Sequence, residues 1–358
     1  MPNVLVLLQF IFVFGLIVFV HELGHFLVAK LVGVEVEEFG FGYPPRLVRL
    51  FTKKGTEFTL NWIPFGGFVR LKGEMDDGEP GGVLAAPKWK RFLILIAGAT
   101  MNFVLGILLL IILYNAVNPI DTSKILVMEV APNSPAETIG LQPGDIITRL
   151  SDTPIDSSEV LINIIGEHLE KELTLTYLRD GAEHSAVVIP RQNPPEGQGA
   201  IGFTIGYPEI EVNFFQSIGL SLRTFWDQVK VTVSLPYNYI KGKIAPEEAR
   251  FIGLKGIYDL FSNAAKVDQS NAEVAKEFFP ISRLSLVSML TIAIGITNLL
   301  PIPALDGGQI LFLLFEGMTR KRIPIKVANA INSIFFILLI LLFVLININD
   351  FINPIPIP

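Results

Sequence analysis

The sequence has no cysteine and little charge. Its 358 residues include 4 histidines, with 17% charged and 51% hydrophobic residues. The absence of cysteine excludes disulfide bonds, a thiol nucleophile and thiolate ligands for a metal. Soluble globular domains are nearer a quarter charged, so this composition, with a mean hydropathy of +0.52, indicates a membrane protein that carries some soluble mass. The net charge of -6 gives no sign of nucleic-acid binding, and no nucleic-acid partner is expected.

Four apolar segments are each long enough to cross a bilayer. Basic residues concentrate between the first and second segments and between the third and fourth, whereas the two termini carry almost no charge. Because connections rich in Lys and Arg stay on the cytoplasmic side, both termini and the long segment 118–281 are predicted to lie outside. The apolar segments are residues 4–31, 92–117, 284–315, which prolines interrupt, and 327–348.

The first apolar segment ends in the stretch VHELGHF, which holds two of the four histidines. His21 and His25 are four residues apart, so on a helix they share one face, the spacing that two imidazoles need to hold one zinc ion. Glu22 is adjacent and is predicted to act as general base on a zinc-bound water. The alternative is a set of polar interfacial residues at a helix end, but burial at this depth is costly unless a cation compensates.

A third zinc ligand has to be a carboxylate, because cysteine is absent and the two other histidines fall in the outside segment. Asp306 is the one charged residue between Leu284 and Phe315. A lone intramembrane acid indicates a functional site with a partner, and the predicted topology brings it to the same side of the membrane as the histidines. The alternative is that Asp306 caps a helix after the break at Pro301 and Pro303.

The outside segment contains a pattern of short strands that indicates a small β domain. The turn GLQPGD, with Gly140, Leu141 and Gly144, resembles the turn of PDZ domains found in bacterial proteases. PDZ domains bind extended peptides or chain ends by adding a strand to a sheet edge; the alternative is another small β domain. Strands are predicted at Ile125–Val130, Ile146–Leu150, Leu173–Leu178, Ala186–Ile189 and Ile201–Ile205, and a helix near Ser157–Leu169.

The region 208–281 is expected to be outside the membrane and partly helical. Apolar residues from Phe214 to Val229 recur at the spacing of an amphipathic helix. Such a helix either lies on the outer leaflet or packs on the PDZ-like domain, and the sequence leaves both locations open.

The motifs HELGH at 21–25 and NLLPIPALDG at 298–307 together resemble the site-2 protease family of intramembrane zinc metalloproteases. The order of parts is similar to that of bacterial sigma-factor-regulating members with a single PDZ domain. The resemblance implies one Zn²⁺ per chain held by His21, His25 and Asp306, with Glu22 as catalytic base. It also implies a bacterial cytoplasmic (inner) membrane location, an active site toward the cytoplasm, and a membrane-associated β-hairpin over Pro64–Glu74.

A transmembrane substrate helix must unwind before it is cut, and its freed backbone groups then need partners. The stretches Glu57–Trp62 and Gly66–Leu71 are expected to supply strand edges, with Gly66, Gly67 and Phe68 contacting the substrate. Asn102, in a motif that resembles a family element of the second span, and Asn298 carry amides that could bond the substrate backbone. The alternative for both asparagines is a bond between neighbouring helices.

The expected fold class is a polytopic α-helical membrane protein with four transmembrane helices, a membrane-associated β-hairpin or sheet, and an inserted extracytoplasmic α+β PDZ domain. The expected function is cleavage of transmembrane segments, such as those of anti-sigma factors or remnant signal peptides, with the lipid bilayer and a PDZ ligand as further partners. Two alternatives are a noncatalytic PDZ-bearing scaffold and a metal or proton transporter. The expected parts are an N-terminal membrane half (1–117), a PDZ domain (122–207), an amphipathic region (208–281) and a C-terminal membrane half (282–358).

Overall fold

The structure, a computed structural model, describes residues 2–74, 80–243, 250–275 and 280–355. The chain divides into two compact units: one of Met1–Ala116 with Phe214–Pro358, here the membrane unit, and one of Val117–Asn213, here the inserted unit. Within the described residues, four helices are long and apolar enough to cross a membrane, which confirms that there are four spans. They are Val4–Val32, Lys88–Ala116, Ile281–Asn298 and Ile325–Ile352. The third ends at Asn298 rather than near residue 315, because the segment with Pro301 and Pro303 breaks the helix.

The N-terminal half of the membrane unit places a sheet between two spanning helices. Helix α1 covers Pro2–Val32, strand β1 Val36–Lys53, strand β2 Thr56–Leu71 and helix α2 Lys88–Ala116. Aromatic rings join the sheet to α1, since Phe39 of β1 packs edge-on against Phe19 and Phe26 at centroid distances of 5.6 and 5.1 Å. The prediction of a hairpin at Pro64–Glu74 is wrong, because residues 64–71 belong to the single strand β2 and the turn lies between β1 and β2. The sheet that these strands form is held against the helix that carries the histidines.

The two strands are long and bent, so that β1 and β2 together form more than a simple hairpin. Residues 38–41 pair with 67–70 on one side and with 57–60 on the other, and 57–60 also pair with 48–52. The stretch Glu57–Leu60 is thus bonded on both sides, and the prediction that this part of Glu57–Trp62 offers an open edge is wrong. In the described part of the chain, 67–70 pair with another strand on one side only.

Glycines set the close packing of the spanning helices. A Cβ on Gly24 of α1 would lie 2.4 Å from the Ala97 carbonyl oxygen of α2, and a Cβ on Gly106 would lie 2.4 Å from Ile292. Because no hydrophobic driving force acts between helices in lipid, small residues that let backbones approach gain contacts that larger residues prevent. Gly24 therefore brings the histidine-bearing turn of α1 against α2.

The inserted unit is a six-stranded antiparallel sheet with two helices. The sheet order is β7-β6-β4-β3-β8, with β5 paired to β4, and the core is apolar, with Leu150, Leu161 and Leu175 fully buried. The predicted strands and helix are found, although the last strand begins at Phe203 rather than Ile201. The elements are β3 Ile125–Val130, α3 Pro135–Thr138, β4 Ile146–Leu150, β5 Thr153–Pro154, α4 Ser158–Glu167, β6 Leu173–Arg179, β7 Ala182–Val188 and β8 Phe203–Gly206.

The turn that contains Gly140, Leu141 and Gly144 is fastened by a buried carboxylate. Both glycines adopt positive φ, +74° and +99°, which residues with a Cβ rarely do. Arg179 donates two hydrogen bonds of 2.8 and 2.7 Å to Asp145. Burial alone would raise the pKa of Asp145, but the Arg179 guanidinium and the Gln142 amide outweigh it and hold that pKa below its usual range.

Among its described residues, the C-terminal half of the membrane unit contains five helices. They are α5 Phe214–Ile240, α6 Leu254–Ala275, α7 Ile281–Asn298, α8 Asp306–Thr319 and α9 Ile325–Ile352. The predicted amphipathic helix is α5, and it packs on α2 and α7, where Asn115 donates a 2.6 Å bond to Ser217. This packing on spanning helices differs from both predicted locations, because small polar residues of α5 bond to α2.

Candidate metal centre

Three side chains from opposite ends of the chain meet at one point of the membrane unit. His21 Nε2 lies 3.2 Å from His25 Nε2, and Asp306 Oδ2 lies 3.1 Å from the first and 3.3 Å from the second. In the described part of the chain this is the one group of three His, Asp or Glu side chains placed to hold a metal ion. Ligand atoms around a tetrahedral zinc with bonds of about 2.0–2.1 Å are about 3.3 Å apart, so the three atoms fit such an ion.

The far sides of both imidazole rings are also occupied. His25 Nδ1 donates a 2.7 Å hydrogen bond to the Ile94 carbonyl oxygen of α2. His21 Nδ1 lies 3.4 Å from the side-chain nitrogen Nδ2 of Asn102. A metal-bound histidine uses one ring nitrogen for the ion and donates with the other. The two rings therefore turn Nε2 toward each other and toward Asp306, the orientation that a shared ligand requires.

Asp306 is presented by a tightly packed turn between α7 and α8. It is the first residue of α8, the cap residue is Leu305, and no side chain caps this helix end, so the alternative role of Asp306 as a helix cap is wrong. A Cβ on Gly307 would lie 2.2 Å from the Leu300 carbonyl oxygen, so only glycine fits there. Asp306 Oδ2 is buried and, the two histidines apart, has no hydrogen-bond partner among the described residues, as expected for an oxygen that binds a cation.

Gly98 of α2 lies directly over the two imidazoles. An added Cβ would lie 2.4 Å from His25 Nε2 and 2.5 Å from His21 Nε2. Sequence analysis missed Gly98 and Ile94 as parts of the site. Ile94, Gly98 and Asn102 are spaced four residues apart and share one face of α2, so the asparagine already singled out could have led to both.

Glu22 lies between the histidines and the open edge of the sheet. Its Cγ is 3.8 Å from the Cβ position of Gly67, and its carboxylate is placed to accept from the Val69 amide of β2. Gly66 has φ +72°, and a Cβ there would lie 2.7 Å from Val18 of α1. The two glycines thus let β2 approach α1 beside the catalytic candidate.

The remaining predicted substrate contacts differ in exposure. Asn102 is fully buried, and its backbone oxygen accepts a 3.4 Å bond from Thr291 of α7. Asn298 is half-buried at the last residue of α7, just before the turn that leads to Asp306. Phe68 packs on Gly40 across the sheet, next to the open edge. Asn298 and Phe68 are thus partly exposed, whereas Asn102 is buried beside His21.

Comparison with known proteins matches residues 9–342 to the model of peptidase family M50. A Clostridium perfringens protein described as a candidate zinc metalloprotease is 31% identical, over 96% of this chain and 97% of its own length. The zinc metalloprotease RasP of Oceanobacillus iheyensis is 26% identical, over 95% of this chain and 97% of its own length. A solved PDZ domain of an SdrC-like protein from Listeria monocytogenes is 24% identical over 23% of this chain and 87% of that domain, with a TM-score of 0.21.

Proposed function

The chain belongs to peptidase family M50, the site-2 proteases, and on that basis we propose that His21, His25, Asp306 and Glu22 cut transmembrane segments near the cytoplasmic face of a membrane. The observation that carries this proposal is the triangle of two Nε2 atoms and one carboxylate oxygen in a chain whose described residues include four helices long and apolar enough to cross a membrane. Family membership makes the chain a zinc metalloprotease of a multi-pass membrane type. The roles of the four residues and the orientation in the membrane are what we propose.

His21, His25 and Asp306 would hold the zinc ion, and Glu22 would transfer the proton of the attacking water. When bound, zinc polarises the scissile carbonyl and makes water easier to deprotonate. Glu22 takes a proton from the attacking water and delivers it to the leaving nitrogen, as a general base and then a general acid. The Val69 amide beside Glu22 holds the carboxylate in place for both transfers.

Asn102 orients His21 rather than touching substrate. A histidine that binds zinc through Nε2 carries its proton on Nδ1 and needs an acceptor there. Asn102 Oδ1 is buried and has no hydrogen-bond partner among the described residues. A 180° rotation of the side-chain amide exchanges its nitrogen and oxygen and brings Oδ1 to His21 Nδ1. Asn102→Asp, which keeps an acceptor, should retain zinc, whereas Asn102→Leu should bind it more weakly; equal affinities would contradict this role.

The substrate backbone pairs with the open edge of β2 at 67–70, next to Gly66, Gly67 and Phe68. This edge passes Glu22, so a strand added to it brings a peptide bond to the general base. The half-buried Asn298 at the end of α7 carries an amide that bonds the unwound backbone beyond that strand. A photoreactive residue at position 68 should crosslink a bound substrate helix, whereas one at Phe51, on the far strand, should not; the reverse pattern would exclude this edge.

The inserted unit binds an extended peptide along β8. Strand β8 is at the end of the sheet order, and a groove of about 280 Å³ runs between it and α4. The groove is lined largely by apolar side chains, Ile165 and Phe203 among them, so it suits apolar residues of a peptide. Ile165→Glu in the full chain should abolish capture of an apolar-ended peptide, and unchanged capture would rule this groove out.

The protein lies in a bacterial inner membrane with the inserted unit and both termini outside. The basic connections after α1 and after α8 are the basis for this orientation. Because the chain has no cysteine, a single introduced thiol reports its own side. In intact cells, an impermeant maleimide should label Glu196→Cys and leave Lys321→Cys unlabelled; the opposite result would invert the topology.

The decisive experiment is Glu22→Gln in the reconstituted full-length protein with a transmembrane substrate. Zinc content should stay at one per chain while cleavage falls by about 10²–10⁴-fold, the range for loss of a general base. Glu37→Gln is the matched control, because Glu37 is an exposed carboxylate on β1, the strand that follows α1. Unchanged cleavage by Glu22→Gln would remove Glu22 from its role, and a wild-type protein without stoichiometric zinc would remove the metal centre.

A further inference from the structure

One polar residue of the fourth span reaches the turn that presents Asp306. Asn332 of α9 accepts through Oδ1 a 3.2 Å hydrogen bond from the backbone amide of Ala304. Ala304 has φ +76°, a left-handed conformation that residues with a Cβ rarely adopt. It precedes Asp306 by two residues, so its backbone angles set the direction in which the aspartate leaves the turn.

The rest of this turn is held by its own backbone. Leu305 donates a 3.1 Å bond to Ile302, and Gly308 donates a 3.1 Å bond to Leu305. Ala304 is the strained residue of the segment, and its amide points outward to α9. The hydrogen bond that the Ala304 amide donates to Asn332 therefore supports the one conformation that the turn does not favour by itself.

The setting of Asn332 also indicates a role. Helix α9 is almost entirely apolar and faces outward along most of its length, with mean hydropathy 2.8 over its candidate span. An amide on such a helix is costly unless it finds a partner. Asn332 lines a small polar cavity of about 90 Å³ together with Gln309 and Asn329, which lies one turn earlier on the same helix.

We propose that Asn332 is a positioning residue for the metal centre: through Ala304, the fourth span holds Asp306 at the distance where it completes the site. This inference rests on the proposed function, because it takes Asp306 as the third zinc ligand. Partners that orient a metal ligand typically change metal affinity by about 10–100-fold when removed, and Asn332 acts one step further away, through the backbone.

The test measures metal binding by the full-length protein in detergent, without reference to cleavage. Apo protein is titrated with Co²⁺, whose visible absorption reports ligand geometry, and Co²⁺ is then displaced with Zn²⁺. Asn332→Leu, which keeps the size but removes the acceptor, should weaken zinc binding by about 10-fold and alter the cobalt spectrum. Asn332→Asp keeps an oxygen at the same place and should retain both. Asn329→Leu is the matched control and should bind as wild type does.

A second substitution separates positioning from packing. Ala304→Gly in the Asn332→Leu background should restore most of the lost affinity, because glycine adopts φ +76° without the Cβ penalty. A role of Asn332 in packing α9 would not be rescued by a change in the turn.

The outcomes distinguish this inference from the function on which it rests. If the wild-type protein binds metal and Asn332→Leu binds it with equal affinity, the inference alone is overturned. It is also overturned if Asn332→Leu binds metal more weakly and Ala304→Gly does not restore the affinity. A wild-type protein that binds no cobalt or zinc would overturn the proposed metal centre and this inference with it.

Discussion

Both units bury apolar side chains, but the membrane unit also buries neutral polar residues between its helices and leaves large apolar side chains exposed on its surface. The core of the inserted unit is apolar, with Val127 and Leu150 among its fully buried residues. In the membrane unit, polar residues such as Asn102 and Thr291 are fully buried, whereas Leu341 of α9 is 54% exposed. Water drives apolar residues inward in one unit; lipid offers no such drive in the other, so polar groups meet inside it.

Glycine shows the same contrast between the two units. Gly140, Gly144 and Gly181 of the inserted unit have positive φ and nothing near their Cβ positions, so they serve turns. Gly24 and Gly98 of the membrane unit are helical, and each has a neighbouring backbone or ligand atom 2.4 Å from its Cβ position. These glycines of the spanning helices therefore mark close approach, whereas these three glycines of the inserted unit mark a change of chain direction.

The largest expected effect comes from Gly98→Ala. The added methyl group would occupy the space of both Nε2 atoms, so zinc binding should be lost and cleavage should fall by at least about 100-fold. Zinc content measured by mass spectrometry of the metal is the check. Gly317→Ala, on α8 with open space around it, is the control; full zinc content in Gly98→Ala would break the assignment of helix glycines to close approach.

Next in size is Leu150→Ala, which should act on the inserted unit only. Removing a fully buried leucine side chain costs about 2–5 kcal/mol. Hydrogen exchange within 117–213 of the full chain should rise accordingly, with zinc content unchanged. Loss of zinc in this variant would show that the two units are not independent in stability.

A smaller effect on the stability of the inserted unit is expected at acid pH, where Asp145 becomes protonated. Because its pKa is lowered in the folded state, its ion pair with Arg179 stabilises the inserted unit above the unfolded pKa of about 3.9 and is lost as pH falls below it. Asp145→Asn should cost on the order of 1–3 kcal/mol at pH 7. The difference in unfolding free energy between variant and wild type should shrink as the equilibration pH falls toward 3. It is measured by hydrogen-exchange pulses applied at one common pH. A difference that grows as the pH falls would contradict this prediction.

The smallest effect is expected from Leu341→Ala on the outward face of α9. Lipid is as apolar as the leucine it contacts, so this loss should change stability and zinc affinity by less than about 0.5 kcal/mol. A destabilisation as large as that of Leu150→Ala would mean that this face is packed against protein.

Local patterns in the sequence predicted much of both units. Apolar runs marked the four spans, and alternation with turn residues marked the strands of the inserted unit, because these signals depend on neighbours in the chain. The exceptions are informative: Glu57–Leu60 is bonded on both sides because β1 and β2 bend and pair twice, and α5 packs on spanning helices through small polar residues. The spacing of apolar residues along the chain indicates neither where a strand bends nor which helix another helix packs against.

The sequence by itself determined that His21 and His25 share a helix face, since 3.6 residues per turn bring positions four apart together. The sequence also pointed to Asp306 as their partner, but it gave no contact distances. Those distances, the Ile94 carbonyl behind His25 and the Asn332 side chain bonded to Ala304 became known only from the folded chain. Each of these contacts joins segments far apart in the chain through packing between helices, where the fit of glycines and the need of buried polar groups for partners select the contact.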